Sequence, residues 1–416
     1  MKGEALRTRS ASHWVLLLWI AAAGGVTFGA LVVGIGPVWA VLSGFTVAMV
    51  AWRFGGRPAF GGSLLAAAAV AAPFYFSAFN LSQILVLAIG ALGLVLFSGQ
   101  TGQISVAQGS LVGVGAYTTA VLSVNYSVPA LLTIPCGVFA ASLVGLVVAI
   151  PTSRLRGIYQ VITTLAVGVA FPQILIVIGN SIGGSTGIPV SNPLDFTIRF
   201  GDTVALDPER LMYVVALAAL MVSWLVLSRI IESRHGTAMR ALRQNEVVAA
   251  VNGIKVSRYR IIAFVYCAAV AGLAGSLYAL TVGAVSPDSF GLLYSIQFLV
   301  AIALGGSERL AGALVGSMAT FLLITQLNGI PIPGTTLTIN SEVLYGVAVV
   351  LVLLLLRGGI WGGLIDGANL LTKKFGREHD PSSDPATHIH DPDGAAAQDV
   401  LPIAAPSRPN QEVEKP

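Results

Sequence analysis

The sequence predicts an all-α, polytopic transmembrane helix bundle, and three observations carry that prediction. Only 10% of the 416 residues are charged, against about a quarter in ordinary soluble domains. Hydrophobic residues make up 55% of the chain, and mean hydropathy is +0.82. From Pro58 to Ser153, 96 consecutive residues pass without an Asp, Glu, Lys, Arg or His. A soluble globule of this size cannot hide so much apolar surface, and a disordered chain requires the opposite composition. The pI near 9.1 reflects a net charge of +4 spread along a long chain. No basic stripe with interleaved aromatics is present, so nucleic acid is not an expected partner. Cys136 and Cys267 both lie in apolar runs. They offer no disulfide framework or metal spacing and read as small buried hydrophobes.

A spanning helix needs about 20 apolar residues. The candidate runs, in order, are Trp14–Ile35, Val38–Trp52, Gly61–Phe76, Leu81–Phe97, Val106–Ser123 and Ala130–Ile150. They continue with Ile158–Gly179, Leu211–Ile231, Ile261–Val282, Leu292–Leu304, Ala311–Leu327 and Val343–Leu356. Val38–Trp52 and Leu292–Leu304 are short enough to be half-helices or re-entrant pieces, which are tolerated where protein or a cavity surrounds them. The expectation is therefore about ten to twelve hydrophobic segments.

Lys and Arg in the loops orient the chain. With the N-terminus inside and every run crossing, 21 of the 23 basic residues fall inside; only Arg199 and Arg210 fall outside. Residues 1–13 then form a cytoplasmic N-terminal segment. The basic start followed by an apolar stretch resembles a secretory signal, but that stretch exceeds twenty residues and others follow, so an uncleaved first crossing is expected. Residues 14–363 form the transmembrane domain. Residues 181–210, with Gly183-Gly184, three prolines and three aspartates, read as an external loop or short hairpin. Residues 364–416 read as a cytoplasmic tail, disordered from about 376 on its proline and acid content. His388, His390 and Asp391 read as solvated tail residues, and no metal or cofactor is expected.

Residues 229–260 form a charged cytoplasmic insertion holding nine of the charges. Ala238, Ala241, Leu242, Asn245, Val248 and Ala249 recur at helical spacing, which predicts one helix with a small, apolar face. Arg240, Arg243, Gln244 and Val247 lie on or near another face, with Glu246 beside them. Gly253 follows a helix end where left-handed geometry suits glycine. Such a helix could lie on lipid headgroups or dock in a groove of a soluble partner. Ala249, Ala250 and Gly253 favour docking, because small residues allow close backbone approach.

Ordered motifs now point to a family. They are Gly99-Gln-Thr-Gly-Gln-Ile-Ser-Val-Ala-Gln-Gly109, Gly113–Tyr117, Arg154-Leu-Arg-Gly-Ile-Tyr159, Thr163–Leu165 and Gly183–Ile188. They continue with Arg240-Ala-Leu-Arg-Gln-Asn-Glu246, Ala249-Ala250, Gly253–Val256, Ala271–Tyr278, Val285–Phe290 and Leu304-Gly-Gly306. Over about Leu81 to Gly363 the chain resembles the membrane-spanning subunits of branched-chain amino-acid ABC importers, of the LivM type within the LivH/LivM family. Ser307-Glu308-Arg309 departs from the resemblance by adding charge. The resemblance implies a permease subunit in a bacterial plasma (inner) membrane, with both termini cytoplasmic. It implies pairing with a homologous permease subunit or with itself, two cytoplasmic ATPase subunits and an extracytoplasmic solute-binding protein. It also makes 229–260 a coupling loop, with Arg240, Arg243, Glu246, Ala249, Ala250 and Gly253 at the ATPase.

Gln100, Thr101, Gln103, Ser105 and Gln108 cluster among glycines within the charge-free core. Unpaired polar groups are costly in hydrocarbon, so these residues and Tyr117 should face a substrate pathway or close helix contacts. Gly109 and Gly113 form a small-xxx-small pair suited to tight packing. Apart from Arg229 near the end of its run, the apolar runs hold no charged residue or His. Proton- and ion-coupled carriers usually need such groups, which favours an external energy source. The chain has no Gly-x-x-x-x-Gly-Lys-Ser/Thr loop, so ATP would be bound by another polypeptide, and the chain itself is not expected to be an enzyme. The alternatives are a facilitator without ATPases and a membrane scaffold that does not transport.

Overall fold

The computed structural model describes residues 77–155, 157–179, 186–190, 199–200, 203–204, 208–326 and 346. The runs Trp14–Ile35, Val38–Trp52, Gly61–Phe76 and Val343–Leu356, most of the 181–210 loop and the tail from 364 lie outside the described residues. Eight of the twelve predicted runs become helices. They are α1 (Ala78–Leu94), α2 (Gln108–Tyr126), α3 (Ala130–Thr152), α4 (Ile158–Ile178) and α5 (Pro208–Glu232), followed after the charged insertion by α8 (Val256–Val282), α9 (Leu292–Gly305) and α10 (Leu310–Gln326). The insertion itself folds as α6 (Arg234–Gln244) and α7 (Glu246–Val251). Six helical stretches are long and apolar enough to cross a membrane: Ala78–Gly99, α3, α4, α5, α8 and Pro287–Gly305.

The short strands lie between helices. β1 (Ile188–Pro189) pairs antiparallel with β4 (Ala284–Val285), and β2 (Arg199–Phe200) pairs antiparallel with β3 (Thr203–Val204). Of the two cysteines, Cys267 is buried as predicted, whereas Cys136 is exposed. α3 buries one narrow stripe, Thr133, Gly137, Ala141, Gly145 and Ala149, and leaves Leu131, Phe139 and Val147 exposed. An apolar run fixes membrane depth without fixing which face meets protein.

Two helix starts meet in the interior. α1 widens into a π-helical turn over Val95–Gly99 and stops, Gly102 reversing the chain at φ +73°. Residues 102–107 then return into the protein, and α2 begins there: the Gln108 amide donates to the Gly90 carbonyl in the middle of α1, 2.7 Å away. For the second, α8 ends at β4, a 3₁₀ turn over Pro287–Phe290 follows, and α9 begins beside α2. The Gly109 amide donates to Ser295 Oγ at 2.9 Å. Two broken helices thus start face to face in the interior, the arrangement that inverted repeats produce in transporters.

Glycines set the spacing of the core helices. A Cβ on Gly115 would meet the Gly272 backbone, and one on Gly275 would meet the Val112 carbonyl and the Ala116 amide nitrogen. α2 and α8 therefore touch backbone to backbone. Helices in lipid gain little from hydrophobic burial, so close van der Waals contact between small residues carries their association. Gly305, Gly312 and Gly316 make a similar seam between α9 and α10.

Candidate functional site

Several of the candidate residues meet at one end of the bundle, where α1 stops and α8 starts. The predicted single helix of the insertion is in fact two. Asn245 takes an extended conformation (φ −160°, ψ 113°), and its side chain accepts from the Val247 and Val248 amides at 3.0 and 3.1 Å. An Asn that satisfies the free N–H groups of a new helix is a strong N-cap, so α6 ends and α7 restarts in a different phase. Ala238, Met239 and Leu242 of α6 and Ala249 of α7 are buried within the chain. Asn245 and Val248, placed on that face by the periodicity, are exposed, because the break rotates them outward. α7 closes with Gly253 at φ +82°, the Ile254 amide donating to Ala249 O and the Gly253 amide to Ala250 O, which caps the last carbonyls.

The break leaves an exposed apolar knob. Val251 is 83% exposed, Val247 67% and Val248 55%, with Ala250 and Gly253 exposed beside them. A cluster of valines in water outside the apolar spans marks an interaction surface. Removing the cap should loosen the knob: Asn245→Ala is expected to cost about 1 kcal/mol, measured as faster amide exchange over 246–251 with the remaining helices unchanged.

The inner side of the same segment is held by charge. Arg243 donates to the Gly99 carbonyl at 2.5 Å and to Glu308 Oε1 at 2.6 Å. It thereby ties α6 to the end of α1 and to the turn between α9 and α10. Gln100 adds a bond to the Glu308 backbone carbonyl at 3.2 Å. Arg260, buried at the start of α8, donates to the Ser153 and Leu155 carbonyls at 3.1 and 3.2 Å and pairs with Glu246 at 2.9 Å. A guanidinium only donates, so the Gln103 carboxamide turns its oxygen to Arg260, and its NH₂ then lies 2.9 Å from Gln160, whose carboxamide must present its oxygen to accept. Between these groups opens a cleft of about 460 Å³, lined among others by Thr101, Gln103, Gln160, Leu242, Arg243 and Glu246.

The structure thus joins two sets that the sequence presented as separate. Gln100, Thr101 and Gln103 share one junction with Arg243 and Glu246. Thr101 donates to Phe97 O, capping the π turn. Arg240 is exposed and, among the described residues, reaches Thr237 of its own helix, at 3.5 Å. Ser105 lies deeper and accepts from the Ala107 amide at 3.4 Å. Gln108 is deeper still, fully buried, with Oε1 accepting from Cys267 Sγ at 3.1 Å. Tyr117 stands apart, its ring edge-on to Phe290 at 6.2 Å in an aromatic group with Tyr278, Tyr294 and Phe298. Its hydroxyl has no hydrogen-bond partner among the described residues. Arg260, Gln160 and Ser295 belong to these contacts without having been singled out from the sequence, and Glu308 was noted there only as added charge. The only signal in it was that Arg260 and Glu308 are charges set against the ends of apolar runs.

Comparison with known proteins decides the family. Residues 76–356, more than half of the chain, match the family described as "Branched-chain amino acid transport system / permease component". The chain belongs to this permease family. It is 31% identical over 259 residues to the high-affinity branched-chain amino acid transport system permease protein LivM of Salmonella typhimurium, covering 57% of this chain and 61% of the relative. It is also 31% identical over 233 residues to LivM of Escherichia coli, covering 52% of this chain and 55% of that relative. The ribose import permease protein RbsC of E. coli is 27% identical over 277 residues, covering 64% of this chain and 83% of the relative. The chain thus spans 61% and 55% of the lengths of the two LivM relatives. No solved structure matches. Membership in the permease family and the six apolar stretches make this a multi-pass membrane protein. The broken helices, the polar junction and the exposed knob all lie inside the matched region.

Proposed function

We propose that this chain is the permease subunit of an ATP-driven importer in a bacterial inner membrane. It forms half of the translocation pathway for branched-chain amino acids or similar small solutes. It pairs with a homologous permease subunit or a second copy of itself, and an extracytoplasmic binding protein delivers the solute. Two cytoplasmic ATPase subunits bind ATP, and one of them receives the α6–α7 segment. The observation that supports this reading best is the two-sided build of that segment. Its outer side is an exposed valine knob rigidified by Asn245 and Gly253, and its inner side is tied by Arg243 to the end of α1 and by Glu246, through Arg260, to the re-entrant stretch that follows.

In this reading Ala250, Gly253 and the valines enter the ATPase cleft, and Arg240 meets the rim of that cleft. Ala249 supports the knob from behind. When the ATPases close on ATP, the segment shifts and the re-entrant stretch shifts with it. Gln100, Thr101, Gln103, Ser105 and Gln108 offer amides and hydroxyls along the pathway, which suits a zwitterion because these groups do not trap charge.

Val251→Asp tests the docking surface. Burying an unpaired carboxylate in an apolar interface is costly, so ATPase copurification should fall at least about tenfold, equivalent to ~1.4 kcal/mol. Insertion and thermal stability should be unchanged, since the side chain points to water. Copurification and uptake equal to the parent's would remove the knob from the docking surface. Solute flux through the purified chain alone in liposomes, without ATP, would identify a facilitator instead.

A further inference from the structure

We infer that Arg260 is the positioning residue through which displacement of the α6–α7 segment reaches the re-entrant stretch of residues 102–107. The inference rests on the reading of the chain as an importer permease and adds the route by which its docking segment acts on its pathway.

Arg260 sits where four pieces of chain meet. It belongs to α8, the helix whose backbone lies against α2 at Gly275 and Gly115. One guanidinium nitrogen holds the end of α3 through the Ser153 and Leu155 carbonyls. The other pairs with Glu246, the first residue of α7 and the base of the knob. The carboxamide oxygen of Gln103 accepts from Nε and from Nη2, the latter at 3.2 Å. Gln103 in turn leads within five residues to Gln108, where α2 starts against Gly90 and Cys267.

The two ends of this route differ in how firmly they are held. On the α3 side Arg260 bonds backbone carbonyls of a helix end, which move only with that helix. On the other side it bonds two side chains, Glu246 and Gln103, from segments outside the apolar spans. The Glu246 carboxylate is a quarter exposed, whereas the Arg260 side chain is 9% exposed. A displacement of α7 is therefore felt first at the Glu246–Arg260 pair, inside the protein, where screening is weak. Arg243 makes a second tie, through Gly99 and Glu308, but that tie is more exposed and reaches the helix end rather than the returning stretch. The planar guanidinium fork is essential here, because it serves Glu246, Gln103 and two carbonyls at once, which a lysine ammonium cannot do in the same plane.

The test uses the assembled importer in liposomes and reads movement of the stretch directly. Ile104 is half exposed beside the cleft. In a Cys136→Ser background the Ile104→Cys variant is labelled with a maleimide, with and without ATP. The labelling rate should change with ATP in this parent. In Arg260→Gln that change should shrink about tenfold, the size of a typical coupling between sites, while the ATPase subunits copurify as before. Arg260→Lys should give an intermediate change, keeping the charge pair and losing the fork. Gln103→Ala, at a part-exposed site that should tolerate substitution, should act in the same direction. The double variant should be no worse than Arg260→Gln alone, as expected for one shared path.

The inference is overturned if labelling does not respond to ATP in the parent, or if Arg260→Gln and Gln103→Ala respond as the parent does. It is also overturned if the two losses simply add. Should Arg260→Gln fail to insert, Gln103→Ala carries the comparison by itself. Failure of ATPase subunits to copurify with the parent would instead overturn the importer reading, which separates the two failures.

Discussion

Gly275→Leu is expected to leave almost no folded protein. A Cβ at this position meets the Val112 carbonyl oxygen and the Ala116 amide nitrogen. Both are backbone atoms inside a helix, so no rotamer change can make room. α8 would have to back away from α2 along the seam that Gly115 and Gly272 also form. Overpacking of a tight core usually costs about 1–3 kcal/mol where side chains can yield, and more where they cannot; against backbone atoms the cost should exceed that range and approach the total stability of roughly 5–15 kcal/mol. Here the seam also positions the start of α2, so the loss should exceed that of a comparable change at α3's exposed face. Size-exclusion profiles and thermal scans of the detergent-solubilised protein read the result. A monodisperse peak with the parent's Tm would show that α2 and α8 can separate without loss, and the account of the core would fail.

Gln108→Leu is expected to leave the protein folded and transport poorly. Leucine has a similar length, and the polar partners lost are a helix carbonyl, Gly90 O, and a thiol, Cys267 Sγ. Interhelical hydrogen bonds in membranes are worth about 0.6 kcal/mol on average, so Tm should shift little. If the proposed pathway passes Gln108, the effect on uptake should be about tenfold or more, because Gln108 stands where the returning stretch joins α2. Its amide can exchange partners as the pathway opens, whereas leucine offers none and fills the same space. Cys267→Ser keeps a donor for Gln108 Oε1 and should transport within about twofold of the parent. Uptake by Gln108→Leu equal to that of Cys267→Ser would place the pathway elsewhere in the bundle.

Helix existence was legible because hydrocarbon demands it. Every apolar run that falls in the described residues is a helix, since backbone groups in lipid must be satisfied internally. Helix ends were less legible. The run Ile261–Val282 starts five residues late, because α8 begins at Val256 and carries Arg258 and Arg260 in its first turns. Charge at a helix end reaches water or a partner, so the run of apolar letters ends before the helix does. The break at Asn245 was missed because Asn sat in phase with the apolar positions of a longer helix. Its capping role depends on an extended backbone that spacing does not reveal.

The site divides in the same way. Polar residues among glycines after α1 were identifiable as unusual for a membrane interior, and the α6–α7 insertion as a charged helical segment between apolar runs. Their union was not. It depends on Arg243 meeting Glu308, and on Gln103 meeting Arg260, pairs far apart in the chain. Nothing local selects one distant charge over another.

By itself the sequence determined that this protein lives in a membrane, where its helices lie and which segment carries charge, because the transfer of apolar and charged groups between water and hydrocarbon depends on composition alone. Only the tertiary structure decided that the two broken helices meet at Gly109 and Ser295. Only it decided that Arg260 joins the α6–α7 segment to the returning stretch, and that three valines and Ala250 face outward while Ala249 is buried. Those outcomes depend on backbone approach and side-chain direction, which glycine seams and a single cap set after the helices have formed.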